Sequence, residues 1–174
     1  MLKRCIMIFP YFKNMQLIDD IRKKYDLLAE HVRPHIILVF PFESDIDTNK
    51  LKEHIENTVS SMKQFNIALS GITPSTSFGN YLFLNVREGS NQIFEMHKGL
   101  YNGILREFYP IWLNDTEFIP HMTVGNISDV EAFNRAIEKT KNIDHAFETT
   151  VETVSVEIID ENEDSIIELN IPLR

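Results

Sequence analysis

Two of the six histidines share a sequence context that could support acid–base chemistry. His35 and His121 each follow a proline directly and each begin an apolar run, in the segments Arg33-Pro34-His35-Ile36-Ile37-Leu38 and Ile119-Pro120-His121-Met122-Thr123-Val124. Imidazole titrates near neutrality, so one ring can accept a proton while a second ring donates one at the same pH. The two histidines are therefore candidate catalytic residues, provided that the fold brings them together.

The residue two places after each histidine is expected to share its face. Residues i and i+2 of a strand point to the same side, so His35 would lie beside Ile37 and His121 beside Thr123. A threonine hydroxyl next to an imidazole is a hydrogen-bond donor next to an acid–base group. The two positions are thus alike in placement, but only the second has a hydroxyl.

The hydrophobic period predicts strands and helices in alternation around these two motifs. The predicted strands cover residues 4–9, 35–40, 65–69, 81–86 and 121–124, with Pro10, Pro41 and Gly125 as expected ends. The predicted amphipathic helices cover residues 17–28, 51–62 and 93–108, and a further helix follows a capping box at residues 128–131. The last segment, residues 147–173, has two β-rich runs around an acidic loop at 160–164, which predicts a hairpin.

The order strand, helix, Pro-His strand, helix, strand occurs twice along the chain. The two Pro-His positions lie 86 residues apart, at 35 and 121. This is an internal duplication of the pattern rather than of the letters. Copies of one unit that pack about a pseudo-twofold axis would bring equivalent positions face to face, so we expect His35 and His121 to be partners.

These motifs resemble those of the two-histidine (2H) phosphoesterase superfamily, which is characterised by two His-x-Thr/Ser-x motifs and includes 2′-5′ RNA ligase-like proteins and cyclic phosphodiesterases. The second motif, His121-Met122-Thr123-Val124, is intact, whereas Ile37 stands where the first motif should carry a hydroxyl. The resemblance spans the full chain. It implies an internally duplicated α+β fold, in which two antiparallel β-sheets line a central cleft with helices on the outside. One domain over residues 1–174, with two pseudo-symmetric lobes, is expected.

The resemblance also implies a function. His35 and His121 would act as the catalytic acid–base pair and Thr123 would bind the substrate, without a metal or cofactor. The substrate class would be a 2′,3′-cyclic or 2′-5′ linked nucleotide or RNA end, acted on by hydrolysis or ligation. Sequence does not decide which histidine is the base. Because Ile37 removes one donor, the alternative is a catalytically weakened module that binds a nucleotide or phosphate in the same cleft.

Composition limits the partners that the protein could have. A net charge of −9 disfavours coating of long nucleic acids, which depends on clustered Lys and Arg, so a small nucleotide or an RNA end is the expected ligand. The single cysteine, Cys5, cannot form an intramolecular disulfide and is predicted to be a buried thiol, typical of the reducing cytoplasm. No apolar stretch approaches the ~20 residues of a membrane helix. We expect a cytoplasmic monomer without a membrane partner.

Alternatives exist for the other charged and imidazole side chains. His31 and His35 have the spacing of a helical zinc site, but Pro34 lies between them and disfavours a helix there. His97 falls on the apolar stripe of a helix and is expected to be a structural histidine. His54 and His145 are expected at the surface. Surface exposure, rather than phosphate binding, is expected for three arginines, namely Arg4, Arg33 and Arg87.

Overall fold

A computed structural model describes all 174 residues, from 1 to 174, as an α+β fold. The strands, in chain order, are β1 (Leu2–Ile8), β2 (Ile36–Ser44), β3 (Phe65–Ser75), β4 (Tyr81–Glu88), β5 (His121–Asn126), β6 (Phe147–Val151), β7 (Thr153–Ile159) and β8 (Ser165–Pro172). The α-helices are α1 (Met15–Tyr25), α2 (Thr48–Val59), α3 (Ser90–Leu100) and α4 (Val130–Thr140). Two short 3-10 helices, Gly103–Phe108 and Ile111–Asn114, lie between α3 and β5.

All eight strands belong to one sheet with the order β6-β3-β4-β5-β2-β1-β7-β8. Neighbouring strands in this order are antiparallel throughout. The predicted α+β class is confirmed. The two predicted sheets are the two four-stranded halves of this single sheet, and they meet where β5 lies beside β2.

The junction between the halves is narrow. Strands β2 and β5 are paired at a single position, where Ile36 lies opposite Met122. These two residues are equivalent in the two motifs, since each directly follows its histidine. Equivalent positions of the two motifs therefore lie opposite each other, as a pseudo-twofold arrangement would require.

The predicted element order is found, except that the first of the two predicted β-rich runs after residue 147 is divided into β6 and β7. A spatial half does not coincide with a sequence repeat. Strand β3, which ends the first repeat, pairs with β4 and β6 in the second half. The hairpin β7–β8 takes its equivalent place in the first half, where β7 pairs with β1. The half that carries His35 is therefore assembled from both ends of the chain.

Two strands run past the residues that were expected to end them. Strand β2 continues through Pro41, because Phe40 and Pro41 together lie opposite the single residue Cys5 in a bulge, where a proline is tolerated. Strand β5 continues through Gly125. A Cβ at this position would lie 3.0 Å from the Leu82 side chain on β4, so the close approach of the two strands favours glycine.

Every predicted helix differs from the observed one at its ends. Helix α1 covers Met15–Tyr25 instead of 17–28, and α2 covers Thr48–Val59 instead of 51–62. The predicted helix over 93–108 is broken after Leu100, and Gly103, at φ +56°, begins a separate 3-10 helix. The capping box at 128–131 is not formed as predicted. Asp129 caps α4 instead of Ser128, since its carboxylate accepts a hydrogen bond of 2.7 Å from the backbone N–H of Ala132.

The helices cover an apolar core on one face of the sheet. Helix α1 packs against β5, and α3 packs against β2, so each half places a helix over the central strand of the other half. Cys5 is buried as predicted, and its Sγ lies 3.1 Å from the Val39 carbonyl. None of the helices has the length and apolar character needed to cross a bilayer.

The expectation of surface charge is wrong for Arg4. Its side chain is buried and forms a bidentate ion pair with Glu168, with N–O distances of 2.7 and 2.8 Å. The guanidinium also donates to the Ile46 carbonyl and to the Thr48 hydroxyl. This network holds β1, β8 and the start of α2 together, so Arg4 has a structural role.

Candidate functional site

The strand register places both histidines on one face at the centre of the sheet. With Ile36 opposite Met122 in an antiparallel pair, His35 falls opposite Thr123 and His121 falls opposite Ile37. Ile36 and Met122 are fully buried towards the helices, so their strand neighbours point to the other face. Diagonal neighbours of this kind are typically about 7–8 Å apart. The two imidazoles are therefore neighbours, and the charge of His121 acts on His35.

The two imidazoles are held by the same local hydrogen bond. His35 Nδ1 lies 2.8 Å from the carbonyl oxygen of Arg33, and His121 Nδ1 lies 2.7 Å from that of Ile119. A carbonyl oxygen only accepts, so Nδ1 carries the hydrogen in both rings. Each Nε2 is therefore the nitrogen that can exchange a proton with a ligand. The prolines between carbonyl and ring help to fix this geometry, since they restrict the backbone.

Both histidines have a pKa below the ordinary value of 6.5. Burial lowers the pKa of His35, although its hydrogen bond to Arg33 partly raises it, and the charge of His121 lowers it further. Burial also lowers the pKa of His121, against the effect of its hydrogen bond to Ile119. A proton on one ring disfavours a proton on its neighbour. The pair therefore disfavours the state in which both rings are protonated.

Aromatic side chains from the partner strands support the two rings. Phe83 of β4 stacks on His121, with ring centroids 3.8 Å apart, and Tyr81 stacks in turn on Phe83 at 5.8 Å. On the other side, Phe9 meets the edge of His35 at 6.0 Å, and the Arg33 guanidinium lies 4.4 Å above the Phe9 ring. The sequence analysis missed these aromatics, because only the alternation of β4 hinted that Tyr81 and Phe83 share a face.

Thr123 and Ile37 remain different in the folded protein. The Thr123 side chain is half-buried between His35 and Phe83, which lie opposite it on the two flanking strands, and its hydroxyl has no protein partner. Ile37 lies opposite Met7, so no hydroxyl replaces the missing one from that side. Asn85, opposite His121, does not replace it either, because its amide donates to Gly71 and Thr73.

The other four histidines lie apart from this pair. His31 is paired with Asp164 at 2.8 Å, His54 is hydrogen-bonded to the Leu100 carbonyl, and His145 is exposed. His97 is buried, as predicted for a structural histidine. The structure brings no third His, Cys, Asp or Glu to His31 and His35 in an arrangement that could hold a metal ion.

Fold and site together define an α+β protein with one antiparallel eight-stranded sheet and a histidine pair at its two central strands. The chain belongs to the 2′-5′ RNA ligase superfamily, whose sequence profile matches residues 10–163.

Curated relatives agree with this membership. A protein of Bacillus licheniformis is 24% identical over 132 residues, which is 75% of this chain and 75% of that protein. A protein of Geobacillus kaustophilus is 25% identical over 155 residues, covering 87% of this chain and 84% of that protein. Both carry the name "putative phosphoesterase".

Solved structures show the same fold. Escherichia coli LigT in its apo form superposes with a TM-score of 0.65 at 12% identity, covering 99% of this chain and 97% of LigT. The TT0787 protein of Thermus thermophilus gives a TM-score of 0.64 at 14% identity, covering 99% of this chain and 98% of that chain. LigT has also been solved with ATP and with 3′-AMP.

Proposed function

We propose that this protein is a phosphodiesterase that acts on a 2′,3′-cyclic or 2′-5′ linked nucleotide or RNA end. The observation that carries the proposal is the pair of imidazoles on one face of β2 and β5, each with Nδ1 bound to a carbonyl and Nε2 available. Membership of the 2′-5′ RNA ligase superfamily and the phosphoesterase names of the relatives support it. The nucleotide complexes of LigT support a nucleotide substrate.

The proposed hydrolysis uses the Nε2 atoms of His35 and His121 as proton acceptor and proton donor. Nε2 of the neutral ring takes a proton from a water molecule, whose oxygen forms a bond to phosphorus. The bond from phosphorus to a ribose oxygen breaks, and Nε2–H of the protonated ring gives its proton to that oxygen. The product is a phosphomonoester and a free hydroxyl. In the reverse, ligating direction the two rings exchange roles. Both proton transfers use imidazole, so the proposed reaction requires no metal.

Charge on the phosphate needs donors as well as acid–base groups. The Thr123 hydroxyl lies on the same face as both rings and is free to donate to a non-bridging oxygen. Arg33 adds a guanidinium above Phe9, next to His35, with no ion pair to a protein carboxylate. We therefore assign substrate binding to Thr123 and add Arg33, which the sequence analysis treated as a surface charge.

The first prediction tests the pair itself. His35→Ala and His121→Ala should each lower kcat/KM for 2′,3′-cyclic nucleotides and 2′-5′ linked dinucleotides by roughly 10²–10⁴-fold, since each removes one positioned proton-transfer group. The assay contains EDTA and is run on purified protein. His145→Ala, at an exposed histidine, is the matched control and should retain full activity. Wild-type activity in His121→Ala would refute the assignment.

Ile37 favours a second candidate function, a binding module that holds a nucleotide without turning it over. Here the same face of the sheet would bind the phosphate, but one donor to the transition state is missing. Thermal stabilisation by 3′-AMP that is lost in His35→Ala/His121→Ala, together with no product from any cyclic or 2′-5′ substrate, would favour this function. Clear turnover that depends on both histidines would reject it.

A further inference from the structure

A cavity lies away from the histidine pair and is lined by none of its residues. It is an open cavity of about 570 Å³ bordered by α3, the 3-10 helix Gly103–Phe108 and the loop before β5. Its walls are largely aromatic, with side chains of Phe94, Tyr101, Tyr109 and Phe118. The volume and the aromatic lining are those of a site for a small planar molecule.

The cavity lies where the two halves of the sheet separate. Beyond Ile36, β2 has no pairing with β5, and its backbone is bound by one side chain from α3 and one from the residue that follows α3. His97 Nδ1 donates to the Leu38 carbonyl at 2.8 Å, and the Tyr101 hydroxyl accepts from the Phe40 N–H at 2.9 Å. Both side chains thus have one end fixed on β2 while they line the cavity.

Each of these two side chains has an unused polar function. His97 is only 3% exposed, and with its hydrogen on Nδ1 its Nε2 is an acceptor without a protein donor. Tyr101 is 5% exposed, and its hydroxyl proton has no protein acceptor. Burial lowers the pKa of His97 and raises that of Tyr101, so both stay neutral. No buried side-chain nitrogen or oxygen of the protein lacks a hydrogen-bond partner, so the unpaired Nε2 of His97 is reached from the cavity, where a ligand can donate to it.

The equivalent helix of the other half, α1, carries a buried polar side chain whose hydrogen bonds are all formed within the protein. Arg22 holds the same place in α1 that His97 holds in α3, the eighth residue of each helix, and it is also buried. Its guanidinium, however, is saturated by Asp26 and by two backbone carbonyls. The backbone of Asp26 in turn forms a parallel β-bridge with the backbone of Asn126 in β5. The equivalent polar side chain is therefore fully paired in one half, whereas His97 Nε2 has no protein partner in the other.

Two cations lie at the rim of the cavity. Lys98 and Arg106 line it and are exposed, and neither forms an ion pair or a side-chain hydrogen bond within the protein. Glu117 also lines the cavity, so the net charge of the rim is positive by one. An anionic group on the ligand would find its partners here, because charge-assisted hydrogen bonds to Lys and Arg are the strongest available.

We infer that this cavity is a second binding site, and that it takes a mononucleotide. The base lies among the aromatic rings and presents a donor to His97 Nε2 and an acceptor to the Tyr101 hydroxyl, whose rings are 5.1 Å apart. The phosphate lies on Lys98 and Arg106. The edge of a nucleobase carries such adjacent donors and acceptors, which an aromatic carboxylate does not. This inference does not depend on the proposed reaction of the histidine pair.

Calorimetric titration with adenosine 5′-monophosphate and with adenosine separates the base from the phosphate. The wild type should bind the monophosphate at this site at least about tenfold more tightly than adenosine. Lys98→Gln/Arg106→Gln should abolish that preference. The matched control, Arg135→Gln/Lys139→Gln, changes the same residue types on α4 and should retain it. An unchanged preference in the first variant would overturn the inference.

Histidine-selective NMR distinguishes the two sites in the intact protein. Adenosine monophosphate should shift the ring signals of His97, and should do so equally in the His35→Ala/His121→Ala variant. If only the signals of His35 and His121 respond, the cavity is not a nucleotide site and the inference fails. If only His97 responds, the inference stands and the proposed function loses support. If benzoate shifts His97 at the same concentration as the nucleotide, the mononucleotide assignment is wrong.

Discussion

His35 and His121 share one backbone setting but have different neighbours. Both rings are held through Nδ1 by the carbonyl two residues before them, and this follows from the Pro-His motif. The sequence was therefore sufficient to predict the pair and the contrast between Thr123 and Ile37. It could not predict Phe83 or Phe9, because these rings reach the histidines from other strands whose register the motif does not contain.

The contrast at position 37 leads to a prediction. Ile37→Thr places a hydroxyl opposite His121, as Thr123 lies opposite His35. If one missing donor limits the rate, kcat/KM for the cyclic substrate should rise on the order of tenfold to a hundredfold, because a preorganised donor is worth about that much or more.

Steady-state kinetics on three proteins checks this expectation. Ile37→Val has a similar shape to Ile37→Thr but lacks the hydroxyl, so it should remain at the wild-type rate. Equal rates for Ile37→Thr and Ile37→Val would show that the phosphate does not contact this position.

Among the strands, the fourth residue of each motif forms a β-bulge. Leu38 is an extra residue in β2 between the pairs of Ile6 and Met7, and Val124 is an extra residue in β5 between the pairs of Leu82 and Phe83. Both are fully buried. The duplication thus includes a bulge at the same place in each half. Periodicity predicted that strands exist here, but it could not predict the bulges, because a bulge depends on the register of the partner strand.

Helix α4 offers a test of N-terminal capping by Asp129. Asp129→Ala should destabilise the protein by about 1 kcal/mol, because it leaves the Ala132 N–H without its side-chain acceptor. For a chain of this size the melting temperature should fall by roughly 2–4 °C. Differential scanning calorimetry measures the shift.

Ser128→Ala is the control for this experiment, since Ser128 makes no cap. Its melting temperature should stay within about 1 °C of the wild type. A larger loss in Ser128→Ala than in Asp129→Ala would restore the capping box that the sequence predicted.

For the whole molecule, the element order was predictable and the strand partners were not. Hydrophobic periodicity identifies β3 and the β7–β8 hairpin, but nothing local shows that they exchange places between the halves. These pairings are fixed by the packing of distant segments. One example is the Arg4–Glu168 ion pair, whose members lie near opposite ends of the chain. The single Ile36–Met122 pair that joins the halves was likewise beyond the reach of local patterns.

Stability of the whole molecule should depend on pH through its buried histidines. His35, His97 and His121 have a pKa below 6.5 in the folded state, chiefly because of burial. Between the folded and the unfolded pKa, the unfolded chain binds more protons, so stability rises with pH there. The free energy of unfolding should therefore be fully developed above about pH 7 and fall as the pH drops below 6.5.

Urea denaturation between pH 5 and 7.5 checks this dependence. His97→Gln, which retains a donor for the Leu38 carbonyl, should reduce the loss on acidification, whereas His145→Gln at an exposed position should not. Glu157, whose pKa is raised by burial, acts in the opposite direction, but it is common to all three proteins. A wild type that gains stability from pH 6.5 to 5.5 would contradict the prediction.

The pairing of β1 with β7 also constrains how the protein is made. On the ribosome, β1 and β2 emerge more than one hundred residues before β7, and translation takes on the order of ten seconds to cover that distance. During this time one edge of β1 has no neighbour. The segment from β3 to β6 is contiguous and can assemble first. A nascent chain that stalls before residue 153 would therefore expose a hydrophobic strand edge, which makes it a substrate for chaperones.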